Sequence, residues 1–157
     1  FFKQKTAYEM LRSLVGSEMC IRDRFESWEA DLGRTYVLGT DPKKIQLKED
    51  VEECWKIGKE FFDSRDTITG AELYGYICKL AEDRSWSFGN EHCGHLIGKF
   101  PHEKIQGEKI LNYIHPENHT PMNATDKYGN PRDWVLEIHF IDTNQKIGGF
   151  FEQVLTF

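Results

Sequence analysis

From Leu47 to Phe62 the apolar residues Val51, Cys54, Trp55, Ile57, Phe61 and Phe62 alternate with charged ones at helical spacing, which predicts an amphipathic helix. A second helix is predicted from Thr69. Glu72 stands three positions on, as in a capping box, and Leu73, Ile77 and Leu80 mark a buried stripe that stops near Ser85. The stretch GRTYVLG, residues 33–39, sets β-forming residues between glycines and reads as a strand. Residues 114–132 are rich in Pro, Asn, Asp and Gly, which predicts an exposed loop. Two strands, WVLEIHFID and IGGFFEQVL, close the chain.

Those last strands contain an anomaly. Side chains alternate between the faces of a strand, so Val135, Glu137, His139 and Ile141 share one side, and Trp134, Leu136, Ile138 and Phe140 the other. Both sides look buried, and a carboxylate there costs several kcal/mol unless it is paired or binds a metal. The same problem recurs at Glu152, between Phe150 and Val154 on its own face. Apart from Arg132 and Lys146 at their ends, the strands offer no cation for a salt bridge. A shared metal ion is the economical solution, and Asp31, His95, Glu137 and Glu152 supply the oxygen and imidazole donors that catalytic divalent ions take. Spacing alone leaves both the salt bridge and the metal open.

Composition narrows the class. The 157 residues favour one domain, and a chain of that size buries ~70% of its unfolded surface. Acidic residues outnumber basic ones, 26 to 20, for a net charge of -6, and no Lys/Arg block is interleaved with aromatics. No nucleic acid partner is expected. Cys20, Cys54, Cys78 and Cys93 form no C-x-x-C pair and no regular framework, so neither a zinc module nor a disulfide scaffold is predicted, and a reducing, cytoplasmic setting is expected. No run approaches the ~20 apolar residues that span a bilayer, so the protein is expected to be soluble, with no membrane partner.

Residues 1–24, FFKQKTAYEMLRSLVGSEMCIRDR, lack an initiator Met and the features of a signal peptide. They closely resemble the conceptual translation of a sequencing adapter, a string that recurs at the ends of unrelated assembled transcripts. A non-native segment is therefore expected over residues 1–24, packing poorly and leaving residues 34–38 on an exposed sheet edge, with a partial catalytic domain over residues 25–157. The other reading of the segment is an amphipathic helix through Tyr8, Leu11 and Leu14.

Four motifs, ADLGRTYVLG, GHLIGKFPHE, VLEIHF and GGFFEQVL, give the chain from about Trp28 to Thr156 a resemblance to the pita-bread metallopeptidases. That family contains methionine aminopeptidase, prolidase, aminopeptidase P and creatinase. The resemblance implies an α+β pita-bread fold, truncated at its N-terminus, and a centre of two divalent ions of Mn, Zn, Co or Fe. It implies Asp31, His95, Glu137 and Glu152 as metal ligands, with Glu137 also a catalytic proton shuttle. His102, seven residues after His95, is implied to be catalytic and substrate-binding, stabilising charge on the scissile carbonyl oxygen. Gly94 and Gly98 are expected to let backbone approach the site, His92 and Cys93 to stand just outside the ligands, and His139 to bind substrate or orient Glu137.

The chain also departs from the family. Cys20 stands eleven residues before Asp31, where the family has its first metal aspartate, and Gln153 follows Glu152 where an acidic residue is frequent. One weakly held ion and little activity are therefore expected of this chain. The implied reaction is metal-assisted hydrolysis of a peptide bond in a small peptide substrate. Glu137 and Glu152 lie only fifteen residues apart, without the insert usual in methionine aminopeptidases. That favours the prolidase and aminopeptidase P branch, which cleaves beside proline. The alternative is a creatinase-like hydrolase or a metal-free binding module of the same fold. A homodimer is compatible with either.

Overall fold

The structure is a computed structural model that describes residues 16–25, 28–98, 107–126 and 128–156. His102, Tyr8, Leu11 and Leu14 lie outside the described residues. Strands β1 (Gly16–Phe25) and β2 (Trp28–Val37) are followed by helices α1 (Pro42–Asp63) and α2 (Gly70–Asp83). Short strands β3 (Ser87–Phe88) and β4 (Gly94–Leu96), a 3-10 turn at Gly107–Asn112, and the long strands β5 (Trp134–Asp142) and β6 (Ile147–Val154) complete the order. The strands form one antiparallel sheet in the order β1-β2-β6-β5-β3, with β4 also paired to β5.

Both predicted helices form, and their caps explain where they begin. Asp41 accepts from the amides of Lys43 and Lys44, and Pro42 occupies the first turn, where its missing N–H costs nothing. The capping box of Thr69 and Glu72 is present, with the Glu72 carboxylate bonded to the Thr69 amide at 2.8 Å. One stripe of α1 (Leu47, Val51, Cys54, Trp55) and one of α2 (Leu73, Ile77, Leu80) are buried against the sheet face made by Trp134, Leu136, Ile138, Phe140 and Phe151. Each large aliphatic side chain so buried contributes ~1.5–3 kcal/mol. The indole N–H of Trp55 reaches the Leu136 carbonyl, and that of Trp86 the buried Asp50 carboxylate, so the polar handles in this core are satisfied.

Three expectations change. The strand predicted at residues 33–39 begins earlier, at Trp28, and residues 34–37 have a neighbour: β1 pairs along all of β2, Gly16 opposite Val37 through Phe25 opposite Trp28. The exposed edge expected there is corrected, because strand pairing satisfies backbone donors and acceptors whatever side chains the neighbour carries. The loop over residues 114–132 is irregular but anchored. Ile114, Asn118 and Met122 are buried, the Asn118 amide donates to the Tyr113 carbonyl, and Met122 donates its N–H to the Ile68 carbonyl and accepts at its own carbonyl from the Trp134 indole. Among the described residues no helix is long and apolar enough to cross a membrane, and Cys54, Cys78 and Cys93 are free thiols.

Candidate metal centre

The sheet face opposite the helices carries the site, and pairing register decides what shares it. Glu137 of β5 lies directly opposite Glu152 of β6, and Glu152 opposite Gly33 of β2. Residues opposite one another project to the same side, so both glutamates and Asp31, two residues from Gly33, face one volume. His95 joins them from β4, opposite Val135. Cys20 completes the lateral row, its backbone opposite Gly33.

Two local features set these positions. Gly94 has φ +147, and a Cβ there would lie 2.0 Å from the Val135 carbonyl oxygen, so only glycine lets β4 close on β5 and bring His95 in. The Thr35 hydroxyl accepts from the Phe150 amide at 2.7 Å and donates to the Phe150 carbonyl at 2.9 Å, extending the short β2–β6 ladder and holding Asp31 beside Glu152. At Gly98 no described atom lies within 4 Å of the Cβ it would carry.

The four side chains converge. His95 Nε2 stands 3.4 Å from Glu137 Oε1, 3.7 Å from Asp31 Oδ2 and 3.9 Å from Glu152 Oε1. Asp31, His95 and Glu152 each offer one ligand atom within 4.8 Å of the others. All four residues are buried. Ligand atoms ~2.1 Å from a single ion and tetrahedrally disposed stand ~3.4 Å apart, so Asp31, His95 and Glu152 are close enough to share one ion, with Glu137 reaching the same imidazole from beside that group. His95 Nδ1 lies 3.0 Å from the Leu96 carbonyl, which can only accept. Nδ1 therefore carries a proton, and Nε2 is the nitrogen turned to the carboxylates, as a ligand histidine requires.

The electrostatics agree with that fit. Burial disfavours a charged His95, but the bond to Asp31 and the nearby Glu137 and Glu152 outweigh it and raise its pKa to about 9. A proton there occupies the place a cation would take. Burial works against an ionised Glu137 too, yet the His139 bond and the neighbouring imidazoles hold its pKa well below the usual carboxylate range.

The surroundings are partly as expected. His139 Nε2 bonds Glu137 Oε2 at 2.8 Å. His92 Nδ1 stands 4.0 Å from Glu137 Oε1, and burial lowers its pKa to about 4, so it is neutral. The Cys93 carbonyl accepts from the Glu137 amide at 2.9 Å, beside the ligands, while its thiol is buried in the hydrophobic core. Arg34 extends toward the helix face, over the Phe151 ring and against Gln153, so Gln153 lies away from the carboxylates. Tyr113 escapes sequence reasoning. Its buried ring is 5.0 Å from His92 and 6.4 Å from His95, brought there by a bridge to His95 and by the backbone bonds of Ile114 to Cys93 and Gly94, which no periodicity shows.

The family model for metallopeptidase family M24 matches residues 21–128, beginning inside the segment that resembles an adapter. Among solved structures, a dipeptidase from Pyrococcus horikoshii OT3 superposes with a TM-score of 0.67 at 17% identity, covering 87% of this chain and 35% of its own. Dipeptidase PepE from Mycobacterium ulcerans gives 0.66 at 20% identity, over 90% and 35%. A methionine aminopeptidase from Rickettsia prowazekii gives 0.63 at 16%, over 87% and 58%. The likenesses show the pita-bread fold, and the chain spans about a third of the length of the dipeptidases it matches. No curated protein matches.

Proposed function

Because the chain belongs to metallopeptidase family M24, we propose that Asp31, His95, Glu137 and Glu152 hold a divalent metal ion, Mn, Zn, Co or Fe, in a centre built for peptide-bond hydrolysis. The observation that carries this reading is the convergence of the four side chains from β2, β4, β5 and β6. A bound ion would supply Lewis acidity, polarising the scissile carbonyl and easing deprotonation of the attacking water. The protein's own groups do the rest. Glu137 has Oε2 held by His139 and Oε1 turned to the centre, which serves its role as ligand, and its further role as proton shuttle is assigned by sequence resemblance alone. His92 and Tyr113 close one side of the site and limit the water that reaches it. His102 is assigned the carbonyl oxygen by sequence resemblance alone.

The substrate assigned is a small peptide with proline beside the scissile bond. Support comes from the direct β5–β6 connection, which leaves no room for an insert, and from the likeness to a prolidase from Pyrococcus furiosus and an X-Pro aminopeptidase from Thermotoga maritima MSB8. The family's second ion has its aspartate where Cys20 stands, so the chain is assigned one ion and low turnover, in the cytoplasm. Isothermal titration with Mn²⁺ tests this: about one ion per chain is expected, lost in Glu152→Ala, with a second site gained in Cys20→Asp. No Mn²⁺ binding by the unsubstituted chain would reject the hydrolase reading in favour of a metal-free binding module.

A further inference from the structure

We propose that His139 is a positioning residue, which fixes the Glu137 carboxylate so that a single oxygen faces the metal centre; the claim rests on the metal-site reading above. His139 shares a strand face with Glu137, and its Nε2 lies 2.8 Å from Oε2. A carboxylate oxygen only accepts, so Nε2 is the donor. The other oxygen, Oε1, is the one that approaches His95 Nε2 at 3.4 Å. The bond thus divides the carboxylate, one oxygen drawn along its own strand and one turned to the centre.

The imidazole is itself held. Its ring packs at 4.6 Å from the Phe150 ring and at 6.1 Å, edge-on, from Phe88. Phe150 is in turn fixed by Thr35 and by Gly33, whose missing Cβ leaves the space the ring occupies, 2.0 Å from Cε1. A chain of packed groups therefore runs from β2 through β6 to the ligand on β5. The need for it follows from the register. Glu137 and Glu152 are directly cross-strand, a like-charge pair that repels. Without a donor at Oε2, Glu137 is free to rotate away from Glu152 and to offer both oxygens or neither. The charge-assisted bond removes that freedom before any ion arrives.

The experiment uses the whole chain and two readouts. Mn²⁺ titration should show affinity reduced ~10–100-fold in His139→Ala. His139→Gln, whose amide nitrogen reaches the position of Nε2, should restore most of it. Equal affinity in His139→Ala and the unsubstituted chain, or no recovery in His139→Gln, would overturn the assignment and leave the ring a packing element. The second readout needs no metal and no variant of His139. Long-range ¹H–¹⁵N spectra of the metal-free chain should show His139 protonated at Nε2, with that resonance displaced in Glu137→Ala. Protonation at Nδ1, or no response to Glu137→Ala, would equally overturn it. A chain that binds no Mn²⁺ but shows the Nε2 signature rejects the hydrolase reading while upholding the fixed carboxylate.

Discussion

Replacing Gly94 with alanine tests how His95 is delivered to the site. The new Cβ would stand 2.0 Å from the Val135 carbonyl oxygen, 3.1 Å from its carbonyl carbon and 2.7 Å from Ile114 Cδ1. Val135 cannot retreat, because it is also paired with Val154 in the β5–β6 ladder. Relief must come from β4 lifting off β5. That motion endangers three backbone bonds, Ile114 to Gly94, Cys93 to Ile114 and Glu137 to Cys93, each 2.9 Å. At ~1 kcal/mol net per bond, with ~1–3 kcal/mol for a non-glycine residue held at this positive φ, the loss is about 4–6 kcal/mol. A domain stable by ~5–15 kcal/mol would lose about a quarter of its stability or more. Urea unfolding of the metal-free chain reads this as a midpoint lowered by roughly 2–3 M at a slope of ~2 kcal/mol/M. Mn²⁺ affinity should fall as well, since His95 moves with β4. Gly98→Ala is the control, expected to stay within ~0.5 kcal/mol of the unsubstituted chain. If Gly94→Ala matches that control, the close approach of β4 to β5 does not govern the placement of His95.

Two further outcomes are expected. In the metal-free chain the His95 pKa, about 9, is raised above its ordinary 6.5. The associated stabilisation, about 3 kcal/mol, is complete below pH 6.5 and is lost as pH rises through 9. Urea midpoints should therefore fall between pH 7 and 9.5 while Mn²⁺ affinity rises, because the ion displaces the proton; a flat midpoint profile would contradict this. Thr35→Val removes both hydroxyl bonds to the Phe150 backbone and should cost ~2–3 kcal/mol by urea unfolding, with Thr35→Ser recovering most of it. Equal stability of the valine and serine variants would show that the hydroxyl does not hold β2 to β6.

Much of the chain was legible because local physics wrote it. The cap of α2 is a three-residue signal of Thr69 and Glu72, and the stripes of both helices follow from a period of 3.6 residues. The alternation in β5 put Glu137 and His139 on one face and Leu136 and Ile138 on the other, as the sheet has them. That the strands of the two carboxylates carry no Lys or Arg except Arg132 and Lys146 at their ends was also visible without a fold. What the sequence could not express was register. Whether Glu137 faces Glu152 or misses it by one residue turns on strand pairing, and a slip of one would send the carboxylates to opposite faces. The same holds for β1, whose pairing with β2 depends on backbone groups that every sequence carries. Cys93 shows the limit most plainly. Strict alternation would give Cys93 the same face as His95, two residues on, yet its side chain lies in the core while His95 faces the carboxylates, because Gly94 between them, at φ +147, breaks the alternation.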